Sequence, residues 1–312
     1  MTSGGSYALI MEHSYLETYA GFLRGFASPA RRIAVVFDFS NGATELVVPR
    51  VLAGVPHIAA TLIDRTLSGN FPAHGPNPMA ARAQFHLHEA VLKHRADIGV
   101  IFDADGDRVF FVDHRGRSVP AYVIATLLAK HEEPPYIFDT RTYYSLEKTG
   151  MLDPGTARLS AVGSFFIRKL MREARAGFGA EYSGHYYFKE FFRADSGILA
   201  ALKVINAVTR LPYTLADYVD LLPRELITEE MNIRVANPAA ALKKIRAHYR
   251  KLSKRTKLFD GVTLDFGDWF LAARPSNTEP LIRLFAGSGN ALLLRGRLRE
   301  CERLVTASQI TT

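Results

Sequence analysis

The stretch Ile98-Gly99-Val100-Ile101-Phe102-Asp103-Ala104-Asp105-Gly106-Asp107-Arg108 joins an apolar run to a loop of alternating carboxylates. A short apolar run bounded by polar turns reads as a buried parallel strand. Three carboxylates at the end of such a strand can turn toward one hard cation, and Arg108 can meet an anion bound beside it. The pattern therefore suggests a Mg²⁺-assisted site for a phosphorylated ligand. Three like charges in five residues repel one another unless a cation offsets them. A calcium-binding EF-hand loop is disfavoured, because it needs glycine at position six and glutamate at position twelve. Here glycine is fourth, and His114 occupies the twelfth position.

Two other apolar runs also finish in Phe-Asp, Ile33 to Asp38 and Tyr136 to Asp139. Helical stretches are predicted at Tyr15 to Phe26, Met79 to His94, Tyr122 to His131, Phe166 to Arg175 and Ile198 to Val208. This alternation is the signature of an α/β architecture with functional loops at the carboxyl ends of strands. The turn His114-Arg115-Gly116-Arg117 closes a first domain, 1–117, and the segment Leu211 to Arg224 closes a second, 118–223. The remainder, 224–312, reads as a small α+β domain. Its elements are a strand (Met231 to Val235), a helix (Pro238 to Leu252), two strands around a polar loop (Trp269 to Ala273, Leu281 to Ala286) and a last helix (Ala291 to Val305).

With 312 residues the chain is long enough for two or three domains, and 48% hydrophobic with 22% charged residues is an ordinary globular balance. No run approaches the roughly 18 apolar residues of a membrane span, and no basic region precedes the short apolar patch Tyr7 to Met11, so a signal peptide is not expected. Cys301, the single cysteine, excludes an internal disulfide and fits a reducing cytoplasm. The net charge of +8 helps to recruit anions. No block of Lys and Arg with interleaved aromatics points to nucleic acid.

Two further loops carry chemistry. In Ala180-Glu181-Tyr182-Ser183-Gly184-His185-Tyr186 a carboxylate and a hydroxyl suit sugar hydroxyls, and His185 can move a proton near neutral pH. The same residues would also serve a helix-capping turn. In Arg274-Pro275-Ser276-Asn277-Thr278-Glu279-Pro280 one guanidinium and three small polar side chains suit a phosphate dianion, each charge-assisted bond contributing about 1.5–3 kcal/mol. A solvated hairpin loop would look alike.

Together, and in this order, the three loops resemble those of the α-D-phosphohexomutases, the phosphomannomutase/phosphoglucomutase family. Asp38-Phe39-Ser40-Asn41-Gly42-Ala43, Asn70-Phe71-Pro72 and Asn77-Pro78 add weaker matches, and the resemblance runs from about Tyr15 to the C-terminus. It implies two α/β/α sandwich domains with mixed sheets followed by the α+β domain, equivalent to the family's second, third and fourth domains. It also implies interconversion of hexose 1- and 6-phosphates. Asp103, Asp105 and Asp107 would hold Mg²⁺, Arg108 would contact the phosphoryl group, and His185 would transfer a proton. Glu181 and Ser183 would grip sugar hydroxyls, while Arg274, Ser276, Asn277 and Thr278 would anchor the second phosphate.

The sequence also departs from the family. No Ser-His-Asn-Pro motif of the family's phosphoserine domain occurs, and Arg141 stands where the family has a lysine, so its charge is kept but not its ability to lose a proton. Ser164 stands where many phosphomannomutases have histidine. The expectation is a cytoplasmic phosphohexomutase whose phosphoserine domain comes from another chain, with an exposed apolar face covered by that partner or by self-association. A non-catalytic sugar-phosphate or metal-binding protein, or a truncated gene product, would carry the same loops. No nucleic-acid or membrane partner is expected.

Overall fold

The computed structural model describes residues 15–80, 82–153, 155–223, 226–227, 230–276 and 279–306. The described chain is α/β and carries three sheets. It divides into two compact units, the first comprising 1–137 with 168–222 and the second 138–167 with 223–312.

The first sheet holds β1 (Ile33–Asp38), β2 (Ile58–Ile63), β3 (Ile98–Phe102), β4 (Val109–Asp113) and β5 (Ser118–Val119) in the order β2-β1-β3-β4-β5. β1 pairs in parallel with β2 and β3, whereas β3, β4 and β5 are antiparallel neighbours, so the sheet is mixed. β3 and β4 are buried along their whole length, as uninterrupted apolar runs require.

Ten helices accompany the sheets among the described residues: α1 (15–24), α2 (Val48–Leu52), α3 (Phe85–His94), α4 (Ala121–Ala129), α5 (Thr140–Lys148), α6 (Ser164–Ala174), α7 (Gly197–Arg210), α8 (Leu215–Leu221), α9 (Pro238–Tyr249) and α10 (Ala291–Thr306). α3 seals the first sheet by burying Leu87 and Val91 with Val36, Ile101, Phe110 and Val112. α7 also packs on β3 and β4. α3 is shorter than its sequence suggests. Met79 and Arg82 to Gln84 form turns and the helix starts at Phe85, since Pro78 and the Asn77 side chain, which accepts from the Met79 N–H at 3.1 Å, favour a turn there.

A second sheet has the order β10-β9-β8-β6-β7, from β6 (Tyr136–Asp139), β7 (Ala157–Ser160), β8 (Phe178–Ala180), β9 (Tyr186–Phe188) and β10 (Ala194–Asp195). The third contains β11 (Leu226–Ile227), β12 (Met231–Arg234), β13 (Arg255–Lys257), β14 (Val262–Asp265), β15 (Trp269–Pro275) and β16 (Leu281–Ser288), all in antiparallel pairs. Its core gathers Ile245 and Tyr249 of α9, Leu294, Cys301 and Val305 of α10, and the sheet residues Leu264, Leu271, Ile282 and Leu284. Burial pushes the Cys301 thiol up to about 12, which makes it a packing residue rather than a nucleophile.

α5, β13 and β14 are elements the sequence did not announce. The segment Thr140 to Lys148 is rich in Thr and Tyr, yet Asp139 caps it by accepting the Thr142 N–H at 2.9 Å. The first unit also carries an exposed aromatic cluster of Phe22, Phe26, Phe191 and Phe192, with Phe192 80% exposed. Among the described residues no single helix is long and apolar enough to cross a membrane. The bent pair α7–α8 passes by composition, and most of α7 is buried.

In the second unit, buried Asp265 accepts from Lys148 and from Arg255 Nε at 2.8 Å. Burial alone would raise its pKa, but Lys148, the Gly267 N–H and Arg255 overcome this and hold it below the usual carboxylate value. Asp265→Asn leaves Lys148 buried without its counter-charge and is expected to cost about 3 kcal/mol in denaturant unfolding. Because the folded-state pKa is depressed, this stabilisation is present at neutral pH and lost only as pH falls below about 4 toward the folded value. The difference between wild type and variant should therefore hold from neutrality to mildly acidic pH and shrink below that.

Candidate functional site

In the first unit the aspartate loop and the Glu181–His185 loop meet. Arg108 and His185 form an antiparallel bridge, the Val109 N–H donates to Gly184 O at 3.1 Å, and the Gly197 N–H donates to Gly106 O at 2.9 Å. This seam has glycine at its tightest points. Gly184 has φ +90°, and a Cβ there would sit 2.7 Å from the Phe110 ring; one at Gly197 would sit 2.7 Å from Arg108 O.

Asp103, at the end of β3, is buried and closes its own loop. Its Oδ1 accepts the N–H groups of Gly106 at 3.0 Å and Arg108 at 3.2 Å, and its Oδ2 accepts Arg108 Nε at 2.7 Å. Burial first, then the neighbouring Asp107 carboxylate, push Asp103 up to about 6 against the pull of Arg108. Asp105 is exposed and Asp107 half-buried. One carboxylate oxygen from each of Asp103, Asp105 and Asp107 can be chosen so that all lie within 4.8 Å of one another, a group able to hold a metal ion. Arg108 also points Nη1 toward Asn77 Oδ1 at 3.4 Å.

His185 is the hub of the second loop. Its Nε2 lies 3.3 Å from Asp107 Oδ2, and its Nδ1 lies 2.8 Å from Ser183 Oγ and 3.5 Å from Glu181 Oε2. Glu181 is buried and accepts from the Tyr187 hydroxyl at 2.6 Å. Asp195, a residue that sequence reasoning missed, joins Asp107 and His185 in a second group of potential metal-ligating atoms. It stands 88 residues beyond Asp107, next to β9, and only the pairing of β10 with β9 brings it in.

The remaining predicted residues belong to the second unit. Arg274 at the end of β15 and Arg283 on β16 donate to Glu230 at 3.4 and 2.9 Å, and Arg141 Nη2 comes within 3.9 Å of the same carboxylate. The Arg141 guanidinium also stacks over the Phe285 ring, 4.3 Å from its centroid. The Ser276 N–H donates to Leu281 O at 2.9 Å. Asn277 and Thr278 lie outside the described residues. Three guanidinium groups gather around one carboxylate, and Glu230 is a member of this cluster that sequence reasoning missed.

Three family models match in sequence order. They are phosphoglucomutase/phosphomannomutase alpha/beta/alpha domain II over residues 13–116, alpha/beta/alpha domain III over 121–225 and the C-terminal domain over 230–291. The chain belongs to the phosphoglucomutase/phosphomannomutase family. It is 33% identical to a phosphomannomutase of Salmonella typhimurium over 95% of this chain and 67% of that protein. It is 31% identical to one of Escherichia coli K12 over 96% and 68%. A phosphoglucomutase/phosphomannomutase family protein from Burkholderia thailandensis shares the fold at TM-score 0.83 and 21% identity, over 95% of this chain and 65% of that one. An Aspergillus fumigatus N-acetylphosphoglucosamine mutase, solved with GlcNAc-6P and magnesium, superimposes at TM-score 0.65 and 14% identity, over 94% and 65%. The chain thus spans about two thirds of the length of its relatives.

Burial lowers the pKa of His185, while the hydrogen bond it donates to Asp107 and the charges of Glu181, Asp107 and Asp195 raise it, and the net displacement is upward. In the metal-free chain, Asp107→Asn removes the largest upward contribution and leaves burial in place. The His185 titration midpoint, followed by NMR of its ring protons, should fall toward or below the ordinary value of about 6.5. An unchanged midpoint would show that Asp107 does not govern this imidazole.

Proposed function

We infer that this chain supplies the metal, sugar and phosphate loops of a phosphohexomutase that interconverts hexose 1- and 6-phosphates. The observation that carries the reading is the seam that holds the aspartate loop against His185. It brings three carboxylates, a guanidinium and an imidazole together in one unit. The names of the relatives support the substrate class.

Asp103, Asp105 and Asp107 fit Mg²⁺, because they offer hard oxygen donors with the exposed Asp105 leaving room for water and substrate oxygens. Bound there, the ion would neutralise charge on the transferring phosphoryl group. Arg108, held by Asp103 on one edge, presents its remaining N–H groups to the equatorial phosphoryl oxygens. His185 in its protonated form donates to a sugar oxygen and, once neutral, recovers the proton; Asp107 and Ser183 set its orientation. Arg274 and Arg283 hold the non-reacting phosphate in place of the Glu230 carboxylate. Arg141, always charged, contributes positive charge and no proton transfer.

Two measurements test the reading. Calorimetry should detect Mg²⁺ binding that Asp105→Asn weakens about tenfold without altering the fold. The chain mixed with a separately produced phosphoserine domain should convert glucose 1-phosphate or mannose 1-phosphate, with Arg108→Ala slowing turnover about 10²-fold. Sugar-phosphate binding with no turnover in any such mixture would replace the enzymatic reading with a binding one.

A further inference from the structure

Nearly all of the chain's net charge lies in one unit. The second unit, 138–167 with 223–312, carries 19 Lys and Arg against 12 Asp and Glu, so it holds +7 of the total of +8. Eight of these cations fall between Lys243 and Lys257, and no Asp or Glu occurs between Glu230 and Asp260. α9 and α10 pack together on the third sheet, with Ile245 and Tyr249 of one and Leu294, Cys301 and Val305 of the other in a shared core. At 3.6 residues per turn, Lys243, Arg246 and Arg250 lie within about 60° of one another on α9, turned away from Ile245 and Tyr249. Arg295, Arg299 and Arg303 recur four residues apart and form the same kind of stripe on α10. All six are exposed, and among the described residues none has a carboxylate partner. Of the two carboxylates on these helices, Glu300 is taken up by His248 at 3.2 Å and Arg297 at 2.9 Å, and Glu302 is exposed.

Soluble surfaces ordinarily intersperse charges of both signs, and a one-sign array repels itself unless an anion covers it. The partner that suits this array is polyanionic and broad enough to span two helices about 8–10 Å apart. It is also flat, because two helices lying on a sheet present a layer rather than a single ridge. The apolar side chains exposed beside the cations are aliphatic: Leu252, just beyond α9, is 61% exposed, and Leu292, in the first turn of α10, is 80% exposed. Neither helix exposes a Phe, Tyr or Trp on which a nucleic-acid base could stack. Cations together with exposed leucines match the headgroup region of an anionic bilayer, which takes up both.

We propose that the outer face of α9 and α10 is a docking surface for an anionic lipid bilayer. Strand alternation keeps this face apart from the arginine cluster of the same unit. Leu271, Ala273, Ile282 and Leu284 join the core under the helices, whereas Arg274, Arg283 and Phe285 alternate with them and turn to the opposite face, where Arg141 stacks on Phe285. Attachment through the helices therefore leaves the arginine cluster uncovered. No membrane partner is expected from the sequence, where core residues interrupt the cations; the helical stripes gather them on one side. The inference stands whether or not the chain turns over hexose phosphates.

The test is sedimentation of the full chain with vesicles. Vesicles with about 30% phosphatidylglycerol should bind it at low salt and pure phosphatidylcholine vesicles should not. Added salt should weaken the binding by screening. Arg246→Gln/Arg250→Gln, at exposed positions where glutamine keeps the helix, should lower partition to the anionic vesicles about 25-fold, about fivefold for each charge. Arg31→Gln/Arg32→Gln, a change at two exposed residues of the first unit, should leave partition unchanged. A single-stranded oligonucleotide at the same salt, followed by fluorescence anisotropy, should bind more weakly than the anionic vesicles. Equal binding to neutral and anionic vesicles, or equal losses in the two double variants, overturns the proposal. An oligonucleotide held more tightly than the anionic vesicles also overturns it and assigns the face to nucleic acid.

Discussion

The backbone seam between the aspartate loop and the Glu181–His185 loop is the constraint on which the candidate site depends. Two hydrogen bonds, Val109 N–H to Gly184 O and Gly197 N–H to Gly106 O, join segments 75 and 91 residues apart along the chain. A Cβ at Gly184 would run into the Phe110 ring and one at Gly197 into Arg108 O, which is why glycines stand at the contact points. The seam places the Asp107 carboxylate against the His185 ring and lets the buried β3–β4 pair act as a rigid base for both loops. Loops seated on a packed sheet hold their side chains more tightly than loops supported by solvent.

The electrostatics follow from that placement. In the first unit, Asp103 is driven up to about 6 by burial and by Asp107, while Asp107 is pulled below its ordinary value, chiefly by its hydrogen bond with His185. Two carboxylates a few residues apart are thus pushed in opposite directions by their surroundings, as expected where charge is concentrated for function. The second unit inverts the pattern, with three guanidinium groups around the single carboxylate of Glu230.

Much of this was legible in the residues. The apolar runs ending in Phe-Asp became β1, β3 and β6, and the periodic segments became α4, α6, α7, α9 and α10 within a few residues. Among these, α7 and α9 start at side-chain caps, with Ser196 Oγ accepting the Leu199 N–H and Asn237 Oδ1 the Ala240 N–H. α5 escaped notice because its Thr and Tyr residues are poor helix formers, and burial against neighbours overrides that preference. β13 escaped because Arg255 to Lys257 is polar and short, and it exists by pairing with β14. The start of α3 was placed too early because apolar spacing continues through a turn-forming Pro78.

The sequence by itself determined the chemistry available: the carboxylates of the aspartate loop, the imidazole and hydroxyl of the second loop, the arginine of the third, and the family to which they belong. These are local patterns, and a motif of adjacent residues survives in one dimension. Only the tertiary structure decided which groups meet. Asp195 reaches His185 through a strand pairing, Glu230 gathers three arginines from separate segments, and His74 meets Asp38 and Asp64 because two parallel strands end side by side. Such contacts depend on burial and register, which no spacing along the chain records.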